Sequence, residues 1–118
     1  MCLARSCWKK TMIDWPRVRE LKEEVGDDGF EEVIELFLEE VEDVINKLKS
    51  GDRSQLEQDL HFLKGSALNL GFQEFSDLCF QGERMAATGQ ADAVDLTRVM
   101  SSYTASKTSF LQNVRELA

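Results

Sequence analysis

This sequence is poor in the residues that break helices and in those that most often make strong polar sites. It has one proline and one histidine. The single proline, Pro16, leaves about a hundred residues with no fixed kink after it. No apolar run approaches the ~20 residues that a membrane span requires. The start, MCLARSCWKKTMI, carries cations but no continuous apolar stretch, so it does not read as a secretory leader. Three cysteines cannot all pair within one molecule. Cys2 and Cys7 fall in an expected loose tail, and Cys79 lies on an apolar helical face. That pattern suits a reduced protein better than a disulfide framework. There is no excess of positive charge either: with net charge −8 and pI near 4.6, nucleic acid and anionic membrane surfaces would repel the chain. A cytoplasmic location is the default expectation. The chain also lacks a glycine-rich nucleotide loop, so phosphorylation from ATP by its own action is not expected.

What the sequence does contain is helical periodicity, in a chain of 118 residues suited to one domain with a modest core. No segment alternates with period two. A short first helix is expected to start with Asp14 as cap and Pro16 in its first turn, where a missing amide costs nothing. It carries Val18, Leu21 and Val25 and ends at Gly26. The second helix is the clearest: Phe30, Val33, Ile34, Phe37, Leu38, Val41, Val44, Ile45 and Leu48 form one stripe. Glu31, Glu32, Glu35, Glu39, Glu40 and Glu42 cover its solvated side, and Gly51 stops it. A third helix is expected to open with Ser54 and Glu57 as a capping box, bury Leu56, Leu60, Leu63, Ala67 and Leu70, and end at Gly71. A fourth runs from about Gln73 to Ala87, with Phe72, Phe75, Leu78, Cys79 and Met85 as its apolar side, and Gly89 closes it. A fifth starts near Asp92 and carries Leu96, Val99, Tyr103, Phe110, Val114 and Leu117. Its middle, from Ser101 to Ser109, is rich in hydroxyl side chains that compete for backbone hydrogen bonds. The fold class that follows is all-α: an antiparallel four-helix bundle over residues 14–118 with a short additional N-terminal helix, preceded by a tail over 1–13.

The third helix also carries the chemistry. Leu60 and Leu63 belong to the core stripe, so His61 is turned about 100° from Leu60, toward the helix edge. Lys64 and Gly65 lie at i+3 and i+4 from His61 and share its face, and Leu68 lies two turns along. Neutral imidazole is a nucleophile near pH 7, since its unperturbed pKa is about 6.5. A phosphoryl group placed on it would form a covalent phosphohistidine, whose charge an ammonium can offset. Glycine inside a helix costs about 1 kcal/mol, and at position 65 it clears space for an incoming partner. Ser66 is a candidate hydrogen-bond donor to the same phosphate.

The run HFLKGSALNLG, from His61 to Gly71, resembles the signature of the histidine-containing phosphotransfer (HPt) domain, in the form H-x-L-K-G-S/A-x-x-x-L-G. Gly71-Phe72-Gln73, followed by Leu78-Cys79, looks like that family's next helix. The resemblance spans Asp14 to Gly89 and reaches the last helix only by pattern. It implies a phosphorelay intermediate in two-component signalling. His61 would take a phosphoryl group from a receiver-domain aspartyl phosphate and pass it to another receiver aspartate. On that resemblance Lys64 is the phosphate partner, Gly65 the clearance residue, and Gln73 the glutamine that lies near the histidine in fungal members. The implied partners are response-regulator receiver domains and a hybrid histidine kinase. The implied carrier is a monomer without turnover of its own, needing no cofactor, with Mg2+ on the receiver partner. Phe62 and Leu68, if exposed, would form the apolar part of a docking surface.

Two other readings remain beside this one. In the first, the chain is a helical adaptor or histidine-kinase regulator in which His61 has no chemistry. In the second, Glu57 and His61, spaced i and i+4, ligate a metal within a bundle; a single histidine and no Glu-x-x-His repeat weigh against it. The initiating Met1 favours a free-standing chain over a fragment of a larger kinase.

Overall fold

The computed structural model describes residues 12–114. Most of the tail expected over 1–13, and Leu117 at the end of the last stripe, lie outside these residues. The architecture is all-α, with five helices and no strand among the described residues beyond one isolated bridge, Ile13 to Phe72. The helices are α1 (Trp15–Val25), α2 (Asp27–Lys49), α3 (Leu56–Leu70), α4 (Gln73–Ala87) and α5 (Leu96–Asn113). A single 3₁₀ turn, Ala91–Ala93, lies between α4 and α5.

The neighbouring long helices run antiparallel. Lys47, near the end of α2, meets Asp59 at the start of α3 at 3.0 Å. Phe75 of α4 packs on Tyr103 of α5, with ring centroids 5.3 Å apart, while Met85 and Val99 line one shallow depression farther along the same pair. Glu42 of α2 accepts a hydrogen bond from the Tyr103 hydroxyl of α5 at 2.7 Å and also pairs with Lys107. The apolar stripes read from the sequence fill the space between these helices: Val41, Leu60, Leu63, Leu70, Phe72, Phe75 and Phe110 are fully or almost fully removed from solvent. Burial of such side chains stabilises the fold by roughly 1.5–3 kcal/mol each.

Helix α1 packs against α2 and α3. Asp14 accepts a hydrogen bond from the Arg17 amide at 3.3 Å, which is the expected cap. Gly26 separates α1 from α2, and α2 begins at once with Asp27. Met12 and Ile13 are tied to the turn after α3: the Gln73 amide donates to the Met12 carbonyl at 3.0 Å, and Ile13 is buried.

Two local expectations are corrected. The Ser54–Glu57 capping box does not form. Ser54 donates from its amide and its hydroxyl to Asp52 Oδ1 at 3.0 and 2.6 Å, and α3 starts two residues later. The short polar side chain satisfies a turn instead of the helix end. Arg53 fixes that turn by donating to the Ala91 and Val94 carbonyls at 2.5 and 3.2 Å. The last helix is capped by Asp95, which accepts from the Arg98 amide at 3.1 Å, and not by Asp92, which lies in the 3₁₀ turn. The hydroxyl-rich middle of α5 stays helical throughout. Thr104 bonds back to the Met100 carbonyl, and Ser102 reaches Glu74 of α4 at 2.9 Å, so these side chains brace the helix instead of breaking it.

Candidate functional site

The site lies on the outer face of the hairpin made by α3 and α4, which pack on each other more extensively than any other pair of helices. Gly71 makes the hairpin possible. Its φ is +81°, the left-handed conformation favoured by glycine, and a Cβ there would meet the Asp14 carbonyl oxygen at 2.8 Å. The two helices reflect about Phe72. His61 and Glu83 each lie eleven residues from it, and Lys64 and Phe80 each lie eight. Those are the pairs the structure brings together.

His61 projects into solvent, its side chain 67% exposed. Its Nδ1 lies 2.8 Å from Glu83 Oε2. Lys64, mostly buried, sits 3.0 Å from the other oxygen of the same carboxylate and 5.1 Å above the centroid of the Phe80 ring. Burial pushes the Glu83 carboxyl up, but the hydrogen bonds and charges of Lys64 and His61 outweigh it and hold the group below the usual carboxylate range. Glu83 is therefore anionic at neutral pH. An anionic carboxylate beside Nδ1 favours the imidazole tautomer with its proton on Nδ1. The Nε2 lone pair is then left free on the solvent side. Gly65 leaves open space on the same face, since a Cβ built there meets nothing within 4 Å.

The other expected residues separate into two groups. Phe62 and Leu68 are exposed on α3, at 38% and 55%, and Phe80 is exposed on α4. Ser66 and Gln73 are not brought to the imidazole. Ser66 is buried and lies five positions beyond His61, about 140° around the helix. Gln73 opens α4, ten residues before Glu83, which is about 15 Å along the helix axis. The residue that holds this part of the site is Glu83, which sequence reasoning missed. Counting equal steps outward from the turn after Gly71 would have found it, because an antiparallel hairpin pairs residues by reflection.

Cys79 lies beneath this face, fully buried, its thiol pushed up to about 12 by burial and by Glu83. It is an unreactive core residue. Among the described residues, no group of three or more His, Cys, Asp or Glu side chains is arranged to hold a metal ion, and no helix is long and apolar enough to cross a membrane.

What this arrangement can do is present a nucleophilic nitrogen with a fixed tautomer, backed by a carboxylate and a cation, on an open helix face. A family model described as the Hpt domain matches residues 32–116, well over half of the chain and inclusive of all these positions. No curated protein and no solved structure matches the chain.

Proposed function

The chain belongs to the Hpt domain family, and on that premise we propose that it carries a phosphoryl group on His61 between receiver domains of a phosphorelay. Family membership itself implies phosphotransfer in phosphorelay signalling and interaction with receiver domains or kinases. The observation that supports His61 as the carrier atom's residue is its exposure combined with the 2.8 Å contact between Nδ1 and Glu83.

The chemistry is a displacement at phosphorus. The Nε2 lone pair attacks the phosphorus of an aspartyl phosphate, the N–P bond forms, and the P–O bond to the aspartate breaks with its electron pair leaving on the carboxylate. The Nδ1 proton stays in place. The ring gains positive charge as the N–P bond forms, and Glu83 lies where that charge develops, so it stabilises the transferring state more than the ground state. The reverse displacement on a second receiver aspartate returns the neutral ring. The protein is then a carrier without turnover of its own, requires no cofactor, and meets Mg2+ on the receiver partner. Lys64 acts on both Glu83 and the phosphoryl oxygens. Phe62 and Leu68 lie beside the nucleophile as the apolar part of a receiver-docking surface. We place this carrier in the cytoplasm as a monomer, meeting a hybrid histidine kinase and its receivers there.

The deciding experiment is transfer from a phosphorylated receiver domain to wild type and to His61→Gln. Acid-labile, alkali-stable phosphate on wild type and none on the variant is the expected result. Equal labelling of the two, with both folded, would reject His61 as the acceptor.

A further inference from the structure

The charges around His61 do not suffice for a phosphoryl dianion if Lys64 is the only cation. The Lys64 ammonium is held 3.0 Å from the Glu83 carboxylate, so its charge is already opposed before phosphate arrives. One residue beyond Glu83 stands Arg84, exposed, with its guanidinium carbon 5.7 Å from the centroid of Phe80. The Lys64 ammonium lies 5.1 Å from the centroid of the same ring. Two cations from two helices thus converge on one exposed aromatic ring, and one of them, Lys64, shares the Glu83 carboxylate with His61. Among the described residues Arg84 forms no ion pair, whereas Lys64 does. A long side chain at i+4 leans back over the preceding turn, which is why Arg84 covers Phe80 and not the end of α4.

We propose that Arg84 is a second phosphoryl-binding residue, its guanidinium resting on Phe80 in the free protein and engaging the phosphoryl oxygens on His61 Nε2. The inference rests on the reading of His61 as the acceptor. Two features of guanidinium chemistry favour it. The planar fork offers several donors to phosphoryl oxygens, where an ammonium offers a point charge. Its weak hydration lets it lie on an aromatic face at little cost, so Phe80 keeps the side chain near the site while leaving it free to turn. Lys64 then retains its bond to Glu83 in the phosphorylated state, and the Nδ1 carboxylate is not stripped of its partner.

The test uses phosphoramidate as a small donor, which transfers its phosphoryl group to Nε2 with release of ammonia and needs no docking surface. The rate of phosphohistidine formation is followed by phosphorus NMR for wild type, Arg84→Gln and Arg84→Lys, with folding checked by circular dichroism. At low salt Arg84→Gln is expected to react about two- to fivefold more slowly, the range for an exposed charge pair, with Arg84→Lys recovering most of the loss. The difference should close near 1 M salt, where the screening length is about 3 Å. In wild type the Arg84 Nε–H resonance should also shift on phosphorylation, a change that a purely structural role would not produce. Equal rates for Arg84→Gln and wild type, or an Arg84 resonance unmoved by phosphorylation, would overturn the inference while leaving His61 as acceptor. A folded wild-type protein that shows no phosphorus signal at His61 would overturn both.

Discussion

At the scale of single residues, the proposed transfer turns on which nitrogen of the His61 imidazole is free. A free histidine in water is not committed to one tautomer by its own chemistry; here the Glu83 carboxylate at 2.8 Å commits it. Removing that acceptor should release the choice. In Glu83→Ala, nitrogen NMR should show a substantial share of the tautomer protonated on Nε2, where wild type shows the proton on Nδ1. The same variant should accept phosphate about ten- to hundredfold more slowly, as expected when an oriented charge facing a transition state is lost. A wild-type spectrum with Nε2 protonated would contradict the role given to Glu83. Lys64 shows the same dependence on a neighbour. The sequence offers it as a free cation, and the fold makes it half of an ion pair.

At the scale of elements, two glycines of α3 do opposite things. Gly65 lies inside the helix with open space above it, and Gly71 ends the helix where an added Cβ would meet the Asp14 carbonyl oxygen and Val18 at 2.8 and 2.9 Å. Gly65→Ala is expected to stabilise the protein by about 0.5–1 kcal/mol, through helix propensity, while slowing transfer from a receiver domain. Gly71→Ala should instead destabilise by about 1–3 kcal/mol, because the left-handed conformation and the close approach both penalise a Cβ. Urea titration of the two variants gives the signs directly. A destabilised Gly65→Ala would mean that position 65 is packed and not open. The failed capping box belongs to this scale as well. Ser54 and Glu57 have the right spacing, yet the amide and hydroxyl of Ser54 both donate to Asp52. Spacing along the chain does not record such a competitor.

At the scale of the whole molecule, α2 and α5 are joined by a polar link across their antiparallel contact. Glu42 accepts from the Tyr103 hydroxyl and pairs with Lys107. The hydrogen bonds of Lys107 and Tyr103 lower the Glu42 carboxyl from its ordinary value near 4.5. Burial and the Glu42 carboxylate push the Tyr103 phenol up, well above its ordinary value near 10. A carboxyl depressed in the folded state binds protons less well there than in the unfolded chain. Its stabilisation is complete above about pH 4.5 and is lost as pH falls through the lower folded value. Because Glu42 is partly exposed, the link is worth about 0.5–1 kcal/mol after screening. Tyr103→Phe should therefore lower stability at pH 7 and show a smaller further loss between pH 5 and pH 3 than wild type, measured by denaturant unfolding at each pH. A variant with the full wild-type acid slope would exclude the Tyr103–Glu42 hydrogen bond as a source of it.

Which parts of the protein follow from sequence and which from tertiary structure depends on the range of the interaction. Helix type, the five apolar stripes and the exposure of His61 are set by residues within a turn or two of one another, so periodicity reveals them. The motif from His61 to Gly71 is likewise contiguous, and it pointed to the family that the chain belongs to. The partner of the histidine is different. Glu83 and Phe80 come from the other arm of a hairpin, twenty-two residues from His61 and sixteen from Lys64, and only the packing of α3 on α4 sets Glu83 beside the imidazole and Phe80 beneath Lys64. For the same reason Gln73, close to the motif in sequence, stands about three turns away in space. The sequence by itself determined an all-α chain with one histidine on an open face. Tertiary structure decided which nitrogen is free and which charges surround it, because those depend on contacts that close only when the hairpin does.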